Sequence, residues 1–254
     1  MPPDDAMVDE FDTYARWTAD AVAELGDDHA LPAACRGSGS PAALDWLAGR
    51  MGLRRGTRLL DSGAGVGGPA EHVARGLGVV PVLAEPMEGA CRAAARLFDN
   101  PVVVGDGAAL PFPDGAFDAV WSLGVLCTVD DKVALLAELA RVVVPGGPVG
   151  LLVFERRVEH LADQPEGNSF PTSAELAAHL ERAGLVVRDE TWVEDLPATP
   201  RDWTRAVEEV ERVIARDHGD DEGFRVAQRQ SDQVGHLMGD GLVAGRLLVV
   251  TTPV

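Results

Sequence analysis

A chain of 254 residues, 46% apolar and 25% charged, is long enough for one α/β domain with a sizeable core. Its 41 acidic against 22 basic side chains leave a formal charge of −19, which repels phosphate backbones and anionic bilayers and argues against nucleic acid or membrane as partner. The three cysteines, Cys35, Cys91 and Cys127, form no CxxC pair, so neither a disulfide framework nor a metal cluster is expected.

The chain opens on MPPDDAMVDEFD, which lacks the basic-then-apolar order of a signal peptide. No apolar run approaches the roughly 18 residues of a membrane span, so a cytoplasmic location is expected. From Phe11 to Leu25 the spacing predicts a helix, with Phe11, Tyr14, Thr18, Val22 and Leu25 near one face. The segment Gly37-Ser38-Gly39-Ser40-Pro41 breaks the chain, and a second helix is expected over 41–51. From Arg58 the pattern alternates. Strands are predicted over 58–61, 79–84, 102–104, 117–121 and 149–154, with helices starting near Gly68, Met87 and Asp131. Such alternation implies right-handed βαβ units and a doubly wound, Rossmann-like, mostly parallel sheet. Further on, Thr172-Ser173-Ala174-Glu175 reads as a capping box, with Gly184 ending the helix it opens and a strand following over 185–193. The chain closes on the strand GRLLVVTT, 245–252, after about 50 mostly helical residues. In that insertion Thr199-Pro200 should cap a helix, with Pro200 at its first position and Trp203, Val207, Val210 and Ile214 as its apolar stripe. The whole reads as a single domain, 1–254: N-terminal helices over 1–52, a core over 53–193, a helical cap over 194–243 and a last strand over 244–254.

The most informative stretch is LLDSGAGVGGPAEHVA, 59–74, an apolar strand running into a glycine-crowded turn and then a helix. Glycines serve where the chain turns tightly or a ligand approaches the backbone. Gly63, Gly65 and Gly68 fit GxGxxG, a dinucleotide fingerprint, and Gly63, Gly65 and Gly67 fit GxGxG, as used for S-adenosylmethionine. Glu85 follows at the end of the next strand, at the spacing where a carboxylate accepts two hydrogen bonds from a ribose diol. Turn and acid together leave both cofactors open. After the third strand comes GDGAALPFPDGAFDAVWS, 105–122, with Asp106 placed to accept from an adenine amino group.

With that segment, and with VVVPGGPVGLLVF at 142–154, the chain resembles the class I S-adenosylmethionine-dependent methyltransferases, in their small-molecule, natural-product and ubiquinone-biosynthesis-like branch. The resemblance runs from about Arg58 to Phe154 and implies a seven-stranded sheet whose antiparallel last strand lies beside the fifth. It also implies S-adenosylmethionine as cofactor and S-adenosylhomocysteine as product. Asp61, Gly63 and Gly65 would line the methionine end; Glu85 would hold the ribose, with Met87 or Pro86 packing on the adenine. Asp106 with Gly107 or Ala108 would bind the adenine edge, flanked by Ser122 and Leu123.

Methyl transfer is an in-line displacement from a good leaving group, so alignment and exclusion of water carry most of the catalysis. Relatives that methylate hydroxyls often carry a histidine after the fourth strand. Here SLGVLCTVDD, 122–131, has none, and the fifth strand lacks the acid some relatives place there. Candidate bases are Glu155, at the carboxyl end of that strand, and His160 in the loop beyond it. Arg156 could grip an anionic group on the acceptor; Cys127 stands near the missing histidine; Tyr14, Trp17 and Trp203 could form an aromatic lid. Each has a plain structural counterpart, as paired surface charge or core filler. The expected partner is a small-molecule acceptor, with monomer and homodimer both compatible. A rival keeps the cofactor but runs a reaction other than methyl transfer, and a more distant one is a nicotinamide-dependent oxidoreductase.

Overall fold

The computed structural model describes residues 5–162 and 164–253, with side chains from Phe11 onward. Residues 1–4 of the acidic opening stretch lie outside them. Helices α1 (Asp5–Leu25), α2 (Ala30–Ala34) and α3 (Pro41–Arg50) precede the sheet. The alternating section then runs β1 (Arg58–Ser62), α4 (Gly68–Leu77), β2 (Val80–Glu85), α5 (Glu88–Leu97), β3 (Val102–Val104), β4 (Ala119–Leu123), α6 (Lys132–Val142) and β5 (Val149–Arg156). After it come α7 (Ser173–Arg182), β6 (Val186–Trp192), α8 (Arg201–His218), α9 (Glu222–Gly239) and β7 (Val243–Thr251). Among the described residues no helix is long and apolar enough to cross a membrane.

The seven strands lie in the order β3-β2-β1-β4-β5-β7-β6, parallel from β3 to β5, with β7 antiparallel to both of its neighbours. This matches the doubly wound sheet and the antiparallel last strand expected from the sequence. The order reverses between β1 and β4, and β1, β4, β2 and β5 all present their carboxyl ends at one edge, where ligands of open α/β sheets bind.

Two apolar layers hold the sheet. On one face Leu60, Val120, Leu151 and Val153 pack under α6 and α7 through Leu135, Leu139, Leu176 and Leu180. On the other, Leu59, Trp121, Leu152, Leu247 and Val249 pack against Leu44 and Leu47 of α3. The period-two split of neighbouring residues is what a sheet covered on both faces demands. A third cluster joins Trp17 and Val22 of α1, Ala33 of α2, and Val210 and Ile214 of α8, so the insertion packs on the N-terminal helices above the sheet edge.

Several boundaries differ from the sequence reading, among them those of β4, β2 and α8. Strand β4 starts two residues later than predicted, because the Phe117 backbone N–H bonds the carbonyl of Val142 and Asp118 receives the Arg58 N–H before regular pairing begins. Strand β2 is displaced by one, reaching Glu85. Pro200 is the cap of α8 rather than its first residue: it stays extended at ψ 143° and its carbonyl accepts from Thr204 N–H. The predicted capping box at Thr172 and Glu175 is formed in full.

Candidate active site

The turn after β1 is built around glycines. Gly63 has φ +74°, and a Cβ there would fall 2.3 Å from Cγ2 of Val125, in the loop after β4. Any side chain at 63 would therefore be strained and would also clash. Gly65 has φ +54°, and a Cβ there would meet nothing within 4 Å, which leaves room above the turn.

Around this space sits a set of buried polar groups. Glu85, 2% exposed, accepts from the backbone N–H of Gly65 at 2.8 Å through Oε2 and from that of Met87 at 3.1 Å through Oε1. It thus ties the glycine turn to the start of α5. Burial raises its pKa, and the two N–H donors oppose the rise. Asp61 is 1% exposed and its Oδ2 is buried without a partner; the Trp121 indole N–H lies toward it without reaching hydrogen-bond geometry and is itself unpaired. Burial pushes the Asp61 carboxyl up to about 7. Ser62 Oγ is a third unpaired buried atom; its carbonyl accepts from the Ser122 hydroxyl at 2.9 Å. A Cβ on Gly107 would lie 3.4 Å from that Ser62 oxygen and 2.7 Å from Leu135, which brings the loop after β3 against the end of β1. Orphaned buried groups cost free energy unless something completes them, so the unpaired Asp61 carboxylate oxygen fits a polar ligand.

The other predicted cofactor positions gather at the same edge. Asp106 is exposed, and its Oδ1 accepts from the Ala108 N–H at 2.9 Å in a tight turn. Leu123 is buried, and Pro86 is exposed. Met87 caps α5 and packs with Ala15 and Ala19 of α1, so in this structure its apolar contacts are with the N-terminal helix.

The acceptor-side candidates do not gather in the same way. Glu155, 1% exposed, accepts from Arg246 at 3.1 Å and from the Ser173 hydroxyl at 2.5 Å, while Arg246 also meets Glu190 at 2.5 Å. Both carboxylate oxygens are occupied, on the α7 face of the sheet. This corrects the expectation of a free base: Glu155 is the middle of an ion-pair network. Arg156 is likewise committed, to Glu175 at 2.8 Å and to the carbonyl of Phe170. A cavity of about 430 Å³ beside them, lined by Glu155, Arg157, Ser173 and Trp192, lies at the ends of β5 and β6 rather than over the glycine turn. His160 is solvent-exposed in the loop after β5. Cys127 is 5% exposed among Phe170, Leu237 and Val243, its thiol pushed up to about 11 by burial, which makes it an apolar filler. Nor do the aromatics form one lid. Trp17 is core, stacked on His218 at 4.3 Å, and Tyr14 meets it edge-on at 6.2 Å. Trp203 packs at the far end of α8, edge-on to His72 of α4.

Residues 60–151 match a methyltransferase domain model. The chain is 35% identical over 185 residues to 27-O-demethylrifamycin SV methyltransferase of Amycolatopsis mediterranei, covering 66% of this chain and 67% of that one. It is 30% identical over 226 residues to 2-methyl-6-phytyl-1,4-hydroquinone methyltransferase of Synechocystis, covering 75% and 67%. The chain belongs to the class I S-adenosylmethionine-dependent methyltransferases. Among solved structures, the methyltransferase chain is similar to the [4+2]-cyclase SpnF, at 26% identity and TM-score 0.68 over 83% of this chain and 80% of that one. It shares its fold with a putative sarcosine dimethylglycine methyltransferase of Galdieria sulphuraria, at TM-score 0.63 and 19% identity over 83% and 85%.

Three groups at this methyltransferase's cleft were not read from the sequence. Val125 seats on Gly63; Asp12 of α1 accepts from Ala90 N–H at 3.0 Å and covers Gly89; and the 35–40 loop crosses the sheet edge. The glycines at 37 and 39 marked that loop as a chain break, but nothing in their spacing says what they lie against.

Proposed function

We propose that this enzyme transfers a methyl group from S-adenosylmethionine to a small-molecule acceptor of specialised metabolism, mainly by alignment and proximity. The observation that carries the reading is the buried Glu85 carboxylate, fixed by two backbone amides beside an open glycine turn. Each of its oxygens keeps acceptor capacity for a ribose hydroxyl. The unpaired Asp61 Oδ2 below the turn suits the amino group of the methionine end. Asp106 and the 107–108 backbone suit the adenine edge, with Ser122 and Leu123 flanking. S-adenosylmethionine bound there would supply a methyl on a sulfonium, whose departure needs no acid.

The chain's own part is then to orient the acceptor and exclude water. Proximity-driven transfer is favoured because the expected bases are spent or misplaced. Glu155 is ion-paired, and the Cys127 thiol, pushed up to about 11, keeps its proton near neutrality. The relatives' printed acceptors, a rifamycin and a phytyl hydroquinone, support a compact organic acceptor. A formal charge of −19 supports neither nucleic acid nor an anionic membrane as partner. Three free, buried cysteines support a reducing, cytoplasmic setting. The methyltransferase match leaves the oxidoreductase alternative without support.

Incubation with methyl-labelled S-adenosylmethionine and hydroxyl-bearing acceptors should yield labelled product. Product formed without label would favour a second reading, in which the cleft holds the nucleoside and the reaction is a cyclisation or other rearrangement. The likeness to a [4+2]-cyclase is the observation behind it. Thermal stabilisation by S-adenosylhomocysteine but not by NADH is expected in either case.

A further inference from the structure

The loop between α2 and α3 runs past the head of α4 and on to β4 and β5. The backbone of Ala34 and Cys35 lies against Gly68 at the head of α4, where an added Cβ would be 2.4 Å from Ala34 C and 2.7 Å from Cys35 N. Two residues on, the carbonyl oxygen of Gly37 lies 2.6 Å from where Gly124, just after β4, would carry a Cβ. Gly39 then meets Leu152 of β5. Arg36 therefore sits between a contact on the α4 side of the glycine turn and a contact on the β4 side, directly across the candidate methionine end. Its guanidinium rises from there over the Tyr14 ring, 4.2 Å from the centroid, and reaches Glu211 of α8 at 3.8 Å. It makes no side-chain hydrogen bond among the described residues, unlike Arg141, Arg156, Arg216 or Arg246. Acids gather nearby: Asp61 is close enough to the neighbouring Cys35 to help raise its thiol, and Asp12 covers the start of α5. A ligand with an amino-acid end brings a carboxylate into this surrounding, and Arg36 is the cation placed to receive it.

We propose that Arg36 is a positioning residue that exchanges Glu211 for the carboxylate of the cofactor's amino-acid end, so that one guanidinium both selects that end and, on binding it, gives up its contact to α8. The inference rests on the cleft read above as the cofactor site. Bidentate geometry suits arginine to a carboxylate, and a 3.8 Å contact to a half-exposed glutamate is weak enough to be traded away.

The test is calorimetry with two ligands that differ only in the carboxylate: S-adenosylhomocysteine and its decarboxylated analogue, S-adenosyl-3-thiopropylamine. Wild type should prefer the former. Arg36→Met should weaken S-adenosylhomocysteine by roughly tenfold or more and leave the amine unchanged, and Arg36→Lys should recover part of the loss. Glu211→Gln should tighten S-adenosylhomocysteine roughly two- to fivefold by removing the competitor, again without affecting the amine. Equal losses of both ligands in Arg36→Met would mark Arg36 as a scaffold residue and overturn the proposal, and an unchanged or weakened affinity in Glu211→Gln would overturn the exchange. Wild type binding neither ligand would instead remove the cofactor reading itself, and this inference with it.

Discussion

Asp61 and Glu85 are both buried acids at strand ends, yet the chain treats them differently. Glu85 is held by two amides, whereas Asp61 keeps an unpaired oxygen and a carboxyl pushed up to about 7 by burial. Removing Glu85 leaves the Gly65 and Met87 N–H groups without an acceptor and, on the proposed reading, a ribose diol as well. Glu85→Ala should therefore weaken S-adenosylhomocysteine binding by about 1–3 kcal/mol in calorimetry. Asp61 makes a pH prediction. Below about 3.9, the ordinary carboxylate value, both folded and unfolded chains hold its proton. Between there and about 7 only the folded chain does, so this group's contribution to stability falls as pH rises across that window and is level above it. Asp61→Asn should flatten that part of the wild-type stability curve in denaturant titrations at pH 4.5, 6 and 7.5. An unaltered pH slope would show that Asp61 titrates as an ordinary carboxylate. An ammonium group beside Asp61 favours its ionised form. Ligand binding at pH 6 should thus release a proton, seen as a dependence of the binding heat on buffer ionisation enthalpy, and the asparagine variant should not show it.

At the scale of elements, much of the fold was legible because local and global signals agree. The apolar strands, the Gly68 and Asp131 helix starts and the Thr172 capping box are each local patterns; the helix starts and the box formed as read, and most strands formed with ends shifted by one or two residues. The misreadings share a different cause. Glu155 at the end of β5 is an attractive base in sequence, but its partner Arg246 lies 91 residues on, in β7, and only the antiparallel pairing of β5 with β7 brings them together. Trp17 and Trp203 have helical spacing in either role, and the packing of α8 on α1 and α2 decides that Trp17 joins one apolar cluster while Trp203 packs on another. The glycine turn and its acid were the more legible part of the proposed site, since they lie on consecutive strands, whereas the candidates for the acceptor side come from distant parts of the chain and are scattered in the fold. The Glu155 network gives its own prediction. Glu155→Ala leaves the half-buried Arg246 paired to Glu190 alone and the Ser173 hydroxyl without its acceptor, and should cost about 1–3 kcal/mol of stability in chemical denaturation. The methyl-transfer rate per folded enzyme should hold. A rate loss larger than the loss of folded protein would return Glu155 to the catalytic machinery.

The whole molecule carries 19 more negative than positive formal charges, and its arginines are largely spent in pairs on the surface. Two electrostatic effects of opposite sign then compete. Self-repulsion among the excess carboxylates destabilises the compact state; it acts mostly between charges farther apart than the roughly 10 Å Debye length at 0.1 M salt, so added salt screens it strongly. The exposed ion pairs stabilise weakly, at about 0–1 kcal/mol each, and are screened by the same salt. Repulsion grows with the square of the net charge, whereas pair contributions add singly and several here share one partner, as Arg216 does between Glu24 and Asp217. Repulsion should win. Raising sodium chloride from about 0.02 to about 0.3 M should therefore increase the thermal midpoint, by roughly 2–4 °C for each kcal/mol gained in a chain of this size. A midpoint that falls with added salt would mean that the surface pairs, rather than the excess charge, dominate. In that case the acidic surface would be a network of contacts, and charge-reversing single acids would destabilise the enzyme even at low ionic strength.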